Sequence, residues 1–70
     1  AVHLGDYIYE YPLGSYPAVA DIVPGRDIAP DGALLHLADY RQRYASYRRC
    51  PDLQALHARL PMIAVWDDHE

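Results

Sequence analysis

The sequence contains no lysine, and its six basic side chains, all arginines, are set against ten acidic ones. Surfaces that bind nucleic acids are basic, because their affinity depends on positive charge placed against phosphates. A formal charge of −4 therefore argues against a nucleic-acid-binding surface. The absence of a polybasic run likewise argues against binding to an anionic membrane. Clustered carboxylates instead suit hard cations.

Cysteine is equally scarce, since Cys50 is the single example. One thiol excludes an internal disulfide framework. The sequence has no apolar stretch long enough to span a bilayer, so no membrane span is expected. No signal peptide is recognisable in it, but we expect a chain that lacks its true N-terminus, so this leaves the compartment open.

The chain is short for a parallel α/β protein. Its 70 residues are about half of a typical single domain. A chain of this size buries only about 60% of the surface that its unfolded form exposes, so an isolated α/β fold would be marginal. The sequence begins inside an apolar run and stops one residue after His69. We therefore expect a fragment of a larger protein.

Two apolar, strand-like runs lie at the ends of the chain, at residues 1–4 and 62–66. Proline and glycine recur through residues 12–32, which predicts a long loop without regular structure. Such loops are usually functional rims or lids. Two helices are predicted between this loop and the second run. The resulting βαβ crossover predicts two buried, parallel strands.

The first helix is predicted over residues 33–49. Leu37, Tyr40, Tyr44 and Tyr47 lie on one seam of a 3.6-residue period, which predicts the inward face. The opposite, solvent-facing side carries Asp39 and Arg43, which are spaced as an acid–base i,i+4 pair. Pro51 suits the first turn of a second helix, predicted at residues 51–59.

Side chains with metal-binding chemistry follow each strand. Asp6 comes directly after a glycine, which lets the backbone approach an ion closely, and Tyr9 follows it in the same turn. The second strand is followed by Asp67, Asp68 and His69. Because the carboxyl ends of parallel strands share one edge of the sheet, we expect these groups to meet there.

Each of these two motifs also has a simpler interpretation. Residues 5–9 are also consistent with a capped strand followed by a packed aromatic turn. Residues 67–70 are also consistent with a solvated acidic turn that caps a helix through Asp67 or Asp68. However, four consecutive ionisable groups are unfavourable without a counter-charge, which a cation would supply. His69 beside two aspartates favours its protonated form, which suits a general acid or a donor to a phosphate oxygen.

Four segments, in this order, carry a resemblance to a known family: His-Leu-Gly-Asp-Tyr-Ile-Tyr-Glu, Asp-Tyr-Arg-Gln-Arg-Tyr-Ala-Ser-Tyr-Arg, Asp-Leu-Gln-Ala-Leu-His and Trp-Asp-Asp-His-Glu. Together they resemble the alkaline phosphatase D family of calcineurin-like metallophosphoesterases, which is related to the purple acid phosphatases. The resemblance spans essentially the whole chain and is weakest over residues 12–32. It implies that residues 1–70 are one βαβ piece of a single four-layer α/β/β/α catalytic domain.

The resemblance also implies an activity and a set of site residues. The activity is hydrolysis of phosphate monoesters and diesters at a ferric iron with calcium, by in-line attack of a metal-bound hydroxide. By position, Asp6 matches the bridging aspartate, Tyr9 the iron-binding tyrosine and Asp68 a ligand of the second metal. His69 is the implied catalytic residue, which contacts the phosphoryl group. Asp67 is either a ligand or a neighbouring hydrogen-bond acceptor.

The resemblance further implies a secreted or periplasmic full-length protein with a phosphate-ester substrate. The remaining metal ligands and the rest of the catalytic domain would lie outside residues 1–70, so the chain alone is expected to be inactive. Two alternatives stay open on the residues alone. One is a small α/β module whose tyrosine-rich helix binds a partner protein, and the other is a non-catalytic cation-binding protein.

Overall fold

The computed structural model describes residues 1–15, 20 and 23–70. Four elements follow one another along the chain: β1 (Val2–His3), α1 (Leu37–Tyr47), α2 (Pro51–Arg59) and β2 (Ile63–Ala64). β1 pairs with β2 in parallel, in a register that matches Val2 with Ile63 and His3 with Ala64. The predicted α/β class, the order of elements and the parallel pairing are therefore confirmed. The four-layer domain stays a prediction.

Helix α1 begins at Leu37, four residues later than the sequence pattern predicts, and the contacts of Asp39 explain this starting point. Its Oδ2 accepts hydrogen bonds from the backbone N–H groups of Leu35, at 3.1 Å, and His36, at 3.0 Å. A side chain in the first turn that reaches back in this way fixes the entry of the chain into the helix. The same two bonds lower the pKa of Asp39, because they stabilise its charged form. Asp39 therefore serves the helix start and does not pair with Arg43.

Helix α2 spans the predicted residues. Pro51 occupies its first turn, where a missing N–H is tolerated, and Cys50 precedes it in an extended conformation. The backbone N–H of Gln54 donates to the carbonyl of Cys50 at 3.0 Å. Its side-chain amide donates to the carbonyl of Arg48 at 2.8 Å, which ties the two helices together at their junction.

The interior holds a charged side chain where the sequence predicts an exposed one. Among the described residues, Ile8 and Leu34 are the buried hydrophobic side chains, and Arg43 is buried with 0% of its surface exposed. The prediction that Arg43 faces solvent is wrong, because carbonyl groups of the long loop surround its guanidinium. Tyr44 is half-buried, as its place on the seam predicts, whereas Leu37 is 64% exposed.

The strands are not buried, which corrects a second expectation. Ile63 is 70% exposed and Trp66, just beyond β2, is 82% exposed. Parallel sheets are normally covered on both faces. Within the described part of the chain, neither helix packs closely on this two-stranded sheet, so the apolar side chains of the strands are left uncovered. Neither of these helices is long and apolar enough to cross a membrane.

The predicted loop is described at residues 12–15, 20 and 23–32, and it contains no strand or α-helix there. Residues 16–19 and 21–22, which belong to the same prediction, lie outside the described residues. We call the segments that lead into and out of the loop, residues 9–15 and 29–34, its two legs, and backbone hydrogen bonds join them. Leu13 N–H donates to the carbonyl of Asp31 at 2.7 Å, and Leu34 N–H donates to that of Glu10 at 3.2 Å.

The turn after β1 depends on Gly5. Its φ is +110°, and a Cβ added there would lie 2.6 Å from the Cβ of Asp67. We expect Gly5→Ala to lower the free energy of unfolding of the full-length protein by about 2–4 kcal/mol, because left-handed strain and overpacking both oppose the new methyl group. Urea unfolding measures this loss.

Gly25→Ala is the matched control. Gly25 also has a positive φ, +82°, but an added Cβ would meet nothing within 4 Å. Gly25→Ala should therefore lower the free energy of unfolding by only about 1–2 kcal/mol, which is the cost of a left-handed backbone conformation for an ordinary residue. Equal losses in the two variants would contradict the close approach of Gly5 to Asp67.

Candidate metal centre at the strand ends

Three polar side chains meet where the two strands end. One ligand atom each of Asp6, Asp68 and His69 lies within 4.8 Å of those of the other two. Asp6 and His69 are half-buried, and Asp68 is exposed. Parallel pairing of β1 with β2 brings the segments that carry them to the same edge of the sheet. The structure thus has the juxtaposition that the sequence predicts, while the roles of these residues as ligands and catalyst stay predictions.

Asp6 occupies a strained turn with an unsatisfied oxygen. Its φ is +54°, which is uncommon for a residue other than glycine. Its Oδ1 is buried and has no hydrogen-bond partner among the described residues. A buried carboxylate oxygen left in this state is unfavourable, and a cation would satisfy it. Carboxylate oxygens, which Asp6 and Asp68 supply, are donors that hard metal ions use in proteins, so the residues present fit a metal.

Asp67 lies beside the three-residue group and outside it. Its Oδ1 accepts a hydrogen bond from the backbone N–H of Asp68 at 3.1 Å. Its Cβ and carboxylate lie against Gly5, so that a side chain at position 5 would clash with them. This position suits the acceptor role that the sequence left open for Asp67, and its role as a ligand stays a prediction.

Tyr9 lies next to the group, with its ring against the imidazole. The ring centroids of Tyr9 and His69 are 4.6 Å apart, and those of Tyr11 and His69 are 5.5 Å apart. The aromatic exit from β1 therefore encloses the imidazole on one side. The proposed bond between the Tyr9 phenolate and a metal stays a prediction.

Glu10 is a site residue that the sequence reasoning missed. Its Oε2 lies 2.8 Å from Nδ1 of His69, a position in which an Nδ1–H group donates to the carboxylate. This hydrogen bond raises the pKa of His69, with further contributions from the charges of Glu10, Asp68 and Asp6. The pKa of Glu10 is lowered, first by its own backbone N–H and then by His69. The one feature of the sequence that points to Glu10 as a site residue is its position directly after Tyr9.

Glu70 joins the two strand-end segments through backbone groups. Its Oε1 accepts from the N–H of Tyr7 at 2.6 Å, and its Oε2 accepts from the N–H of Asp67 at 2.8 Å. Partial burial raises the pKa of Glu70, but the N–H groups of Asp67 and Tyr7 outweigh it and hold the pKa below its usual value. The sequence predicts an acidic cluster that includes Glu70, but it does not predict these two backbone contacts.

A cavity of about 750 Å³ opens between the long loop and the helices. It is lined in part by Tyr9, Tyr11, Val23, Ile28, Tyr47 and Leu53. Because two of these tyrosines also contact His69, the cavity borders the cluster at the strand ends. The role of the loop as a functional rim stays a prediction.

The chain has the architecture of a parallel α/β unit, the class of proteins in which ligands commonly bind at the carboxyl ends of the strands. Comparison with known proteins narrows the class. The chain belongs to the PhoD-like phosphatase family, whose family model matches residues 1–70. This confirms the resemblance carried by the four sequence segments.

A curated relative agrees with this assignment. The chain is 44% identical over 68 residues to alkaline phosphatase D of Bacillus subtilis (strain 168). The aligned residues make up 97% of this chain and 11% of the relative. The chain thus spans about a tenth of the length of that relative. No solved structure matches this chain.

The contact between Glu10 and His69 predicts a pH dependence. We expect Glu10→Gln to lower the pKa of His69, because the carboxylate that stabilises the imidazolium is removed. Titration of the ¹³C-labelled His69 ring by NMR, in the full-length protein with a chelator present, measures the change. Asp52→Asn, an acid in the first turn of α2, is the control and should leave this titration as it is.

The same contact should stabilise the fold in a defined pH window. The raised pKa of His69 makes its contribution complete below 6.5, its ordinary value, and that contribution is lost as pH rises through the raised value. The lowered pKa of Glu10 makes its contribution complete above 4.5 and lost at lower pH. Wild type should therefore exceed Glu10→Gln in stability most clearly between these two values. An equal difference at pH 9 would contradict this.

Proposed function

We propose that this chain carries part of the catalytic centre of a metal-dependent phosphomonoesterase and phosphodiesterase of the alkaline phosphatase D type. The observation that carries the proposal is the meeting of Asp6, Asp68 and His69 at the ends of two parallel strands. Membership of a phosphatase family supports a phosphate ester as the substrate. In this proposal residues 1–70 are one βαβ piece of a single four-layer α/β/β/α domain, and the full-length protein is secreted or periplasmic.

The donor set supports ferric iron and calcium as the metals. Calcium prefers carboxylate oxygens, which Asp6 and Asp68 supply. A trivalent iron would favour the ionised form of a neighbouring phenol, which Tyr9 supplies although a free tyrosine has a pKa near 10. Asp67 is the remaining candidate acceptor. When bound, such metals supply positive charge for the phosphoryl oxygens and lower the pKa of water.

His69 is the proposed donor to the phosphate ester. Glu10 engages its Nδ1, so Nε2 is the ring nitrogen that can donate to a phosphoryl or leaving-group oxygen. The rings of Tyr9 and Tyr11 limit the orientations of the imidazole. A donor held in one orientation stabilises developing charge without having to reorganise during the reaction.

The contacts of the tyrosine-rich helix weigh against the partner-binding alternative. The rings of Tyr44 and Tyr7 stack with centroids 5.7 Å apart. The hydroxyl of Tyr7 lies 3.0 Å from Nε2 of His57. Tyr44, in the middle of the helix seam, is thus engaged by a residue of the same chain. A non-catalytic cation site would share the same ligands, and measurements of turnover separate it from the enzyme.

The first test removes the two proposed carboxylate ligands one at a time. In the full-length protein, Asp6→Asn and Asp68→Asn should each lower kcat/KM for p-nitrophenyl phosphate by more than about 100-fold, because even residues that only support a ligand cost 10–100-fold. Metal content by mass spectrometry should fall with activity. Tyr9→Phe should abolish any visible absorption band of a ferric phenolate.

Two controls make this test specific. Asp52→Asn removes an exposed carboxylate from α2 and should retain activity and metal. Asp6→Asn should leave the metal-free protein at least as stable as wild type, since it removes a charge from a buried, unpartnered oxygen. Full activity and full metal content in both ligand variants would rule out the proposed centre.

A second test concerns the chain by itself. We expect the 70-residue chain to show no phosphatase turnover with ferric iron and calcium present, because the proposed centre needs ligands from outside residues 1–70. Full-length protein assayed in parallel is the control. Turnover of the isolated chain at an ordinary enzymatic rate would contradict the proposal that the site is incomplete.

A further inference from the structure

Arg43 is the largest side chain that is fully buried in the described part of the chain. A buried cation is unfavourable unless it is paired or fully hydrogen-bonded. Within the described residues the recorded ion pair joins His69 and Glu10, and no carboxylate pairs with Arg43. Its burial is therefore explained by neutral acceptors.

Five backbone carbonyl oxygens supply those acceptors. Nη1 donates to Tyr9 at 2.5 Å and to Tyr11 at 3.0 Å. Nη2 donates to Pro30 at 2.7 Å and to Gly32 at 3.1 Å, and Nε donates to Ala29 at 3.4 Å. The planar fork of the guanidinium thus binds both legs of the long loop to helix α1. A lysine ammonium, a compact charge with three donors, is unable to reproduce this arrangement.

The first of these legs is also the segment that surrounds His69. Glu10 binds Nδ1 of the imidazole, and the rings of Tyr9 and Tyr11 lie against it. Arg43 binds the carbonyls on either side of Glu10, and Leu34 N–H binds the carbonyl of Glu10 itself. Three consecutive residues that contact His69 therefore each have their backbone carbonyl bound by a group of Arg43 or Leu34.

We propose that Arg43 is a positioning residue for the site: by binding the carbonyls of Tyr9 and Tyr11 it sets the placement of residues 9–11 against His69. The catalytic consequence rests on the proposed function. Small errors in the placement of a reacting group reduce rates strongly, since a shift of about 1 Å costs about 100-fold. Arg43 contacts Tyr9 through the backbone carbonyl of that residue, and its hydrogen bonds among the described residues go to backbone carbonyls and to no side chain of the site.

The test compares Arg43→Lys and Arg43→Met in the full-length protein. We expect Arg43→Lys to lower kcat by about 10–100-fold with little change in KM. Arg43→Met, which leaves five carbonyls without a donor, should lose more. Arg41→Lys, an exposed arginine on the same helix, is the matched control and should behave as wild type.

A second readout is independent of turnover. The imidazole of His69 lies close to two tyrosine rings, so its ring resonance carries their ring-current shifts. We expect Arg43→Lys, but not Arg41→Lys, to move the ¹³C-labelled His69 resonance of the chelator-treated protein. A purely stabilising role would lower the melting temperature and leave this resonance and kcat at their wild-type values.

The outcomes separate the inference from the proposed function. A moved resonance together with a lower kcat supports both. If the wild-type protein shows no phosphatase activity, the proposed function fails and the resonance alone decides on Arg43. A folded Arg43→Lys variant with wild-type kcat and resonance overturns the inference. Loss of the fold in both Arg43 variants also overturns it, because Arg43 would then act on the fold as a whole.

Discussion

The parallel pairing of β1 with β2 is the constraint on which the rest of the structure depends. Only two residues of each strand take part, yet their register brings the exits of both strands to one edge. The residues between the two strands form the crossover that connects them. Without this pairing, Asp6 and Asp68 would belong to unrelated parts of the chain. Two further contacts reinforce it, as both carboxylate oxygens of Glu70 bind backbone N–H groups, one in each strand-end segment.

Polar cross-links hold the crossover, because its apolar core is small. Ile8 and Leu34 are the buried hydrophobic side chains of the described residues, which is little for a chain of this length. Arg43 compensates by collecting carbonyls from both legs of the loop. Burial lowers its pKa, but a guanidinium starts so far above neutrality that it stays charged. A satisfied buried network of this kind fixes one arrangement of the backbone, which a uniform apolar contact does less well.

The parts of the structure that sequence alone predicts are those with local signals. Pro51 marks the start of α2, and a crossover with two helices implies parallel strands. Helical periodicity places Arg43 on the solvent side, because the carbonyl oxygens that accept its hydrogen bonds lie in segments without a periodic pattern. The sequence gives no sign of the contact between Glu10 and His69, because the two residues are 59 positions apart and distant polar contacts leave no local pattern.

The turn at residues 5–6 shows how the fold concentrates strain at the candidate site. Gly5 and Asp6 both have positive φ, and a non-glycine residue in such a conformation costs about 1–3 kcal/mol. Asp6 lies near the strand edge, where its Oδ1 is buried and has no hydrogen-bond partner within the part of the chain that the structure describes. Asp67 occupies the space that a side chain at Gly5 would need. A turn that served the fold alone would have no reason to bury an unsatisfied carboxylate oxygen, so the strain here argues for a ligand.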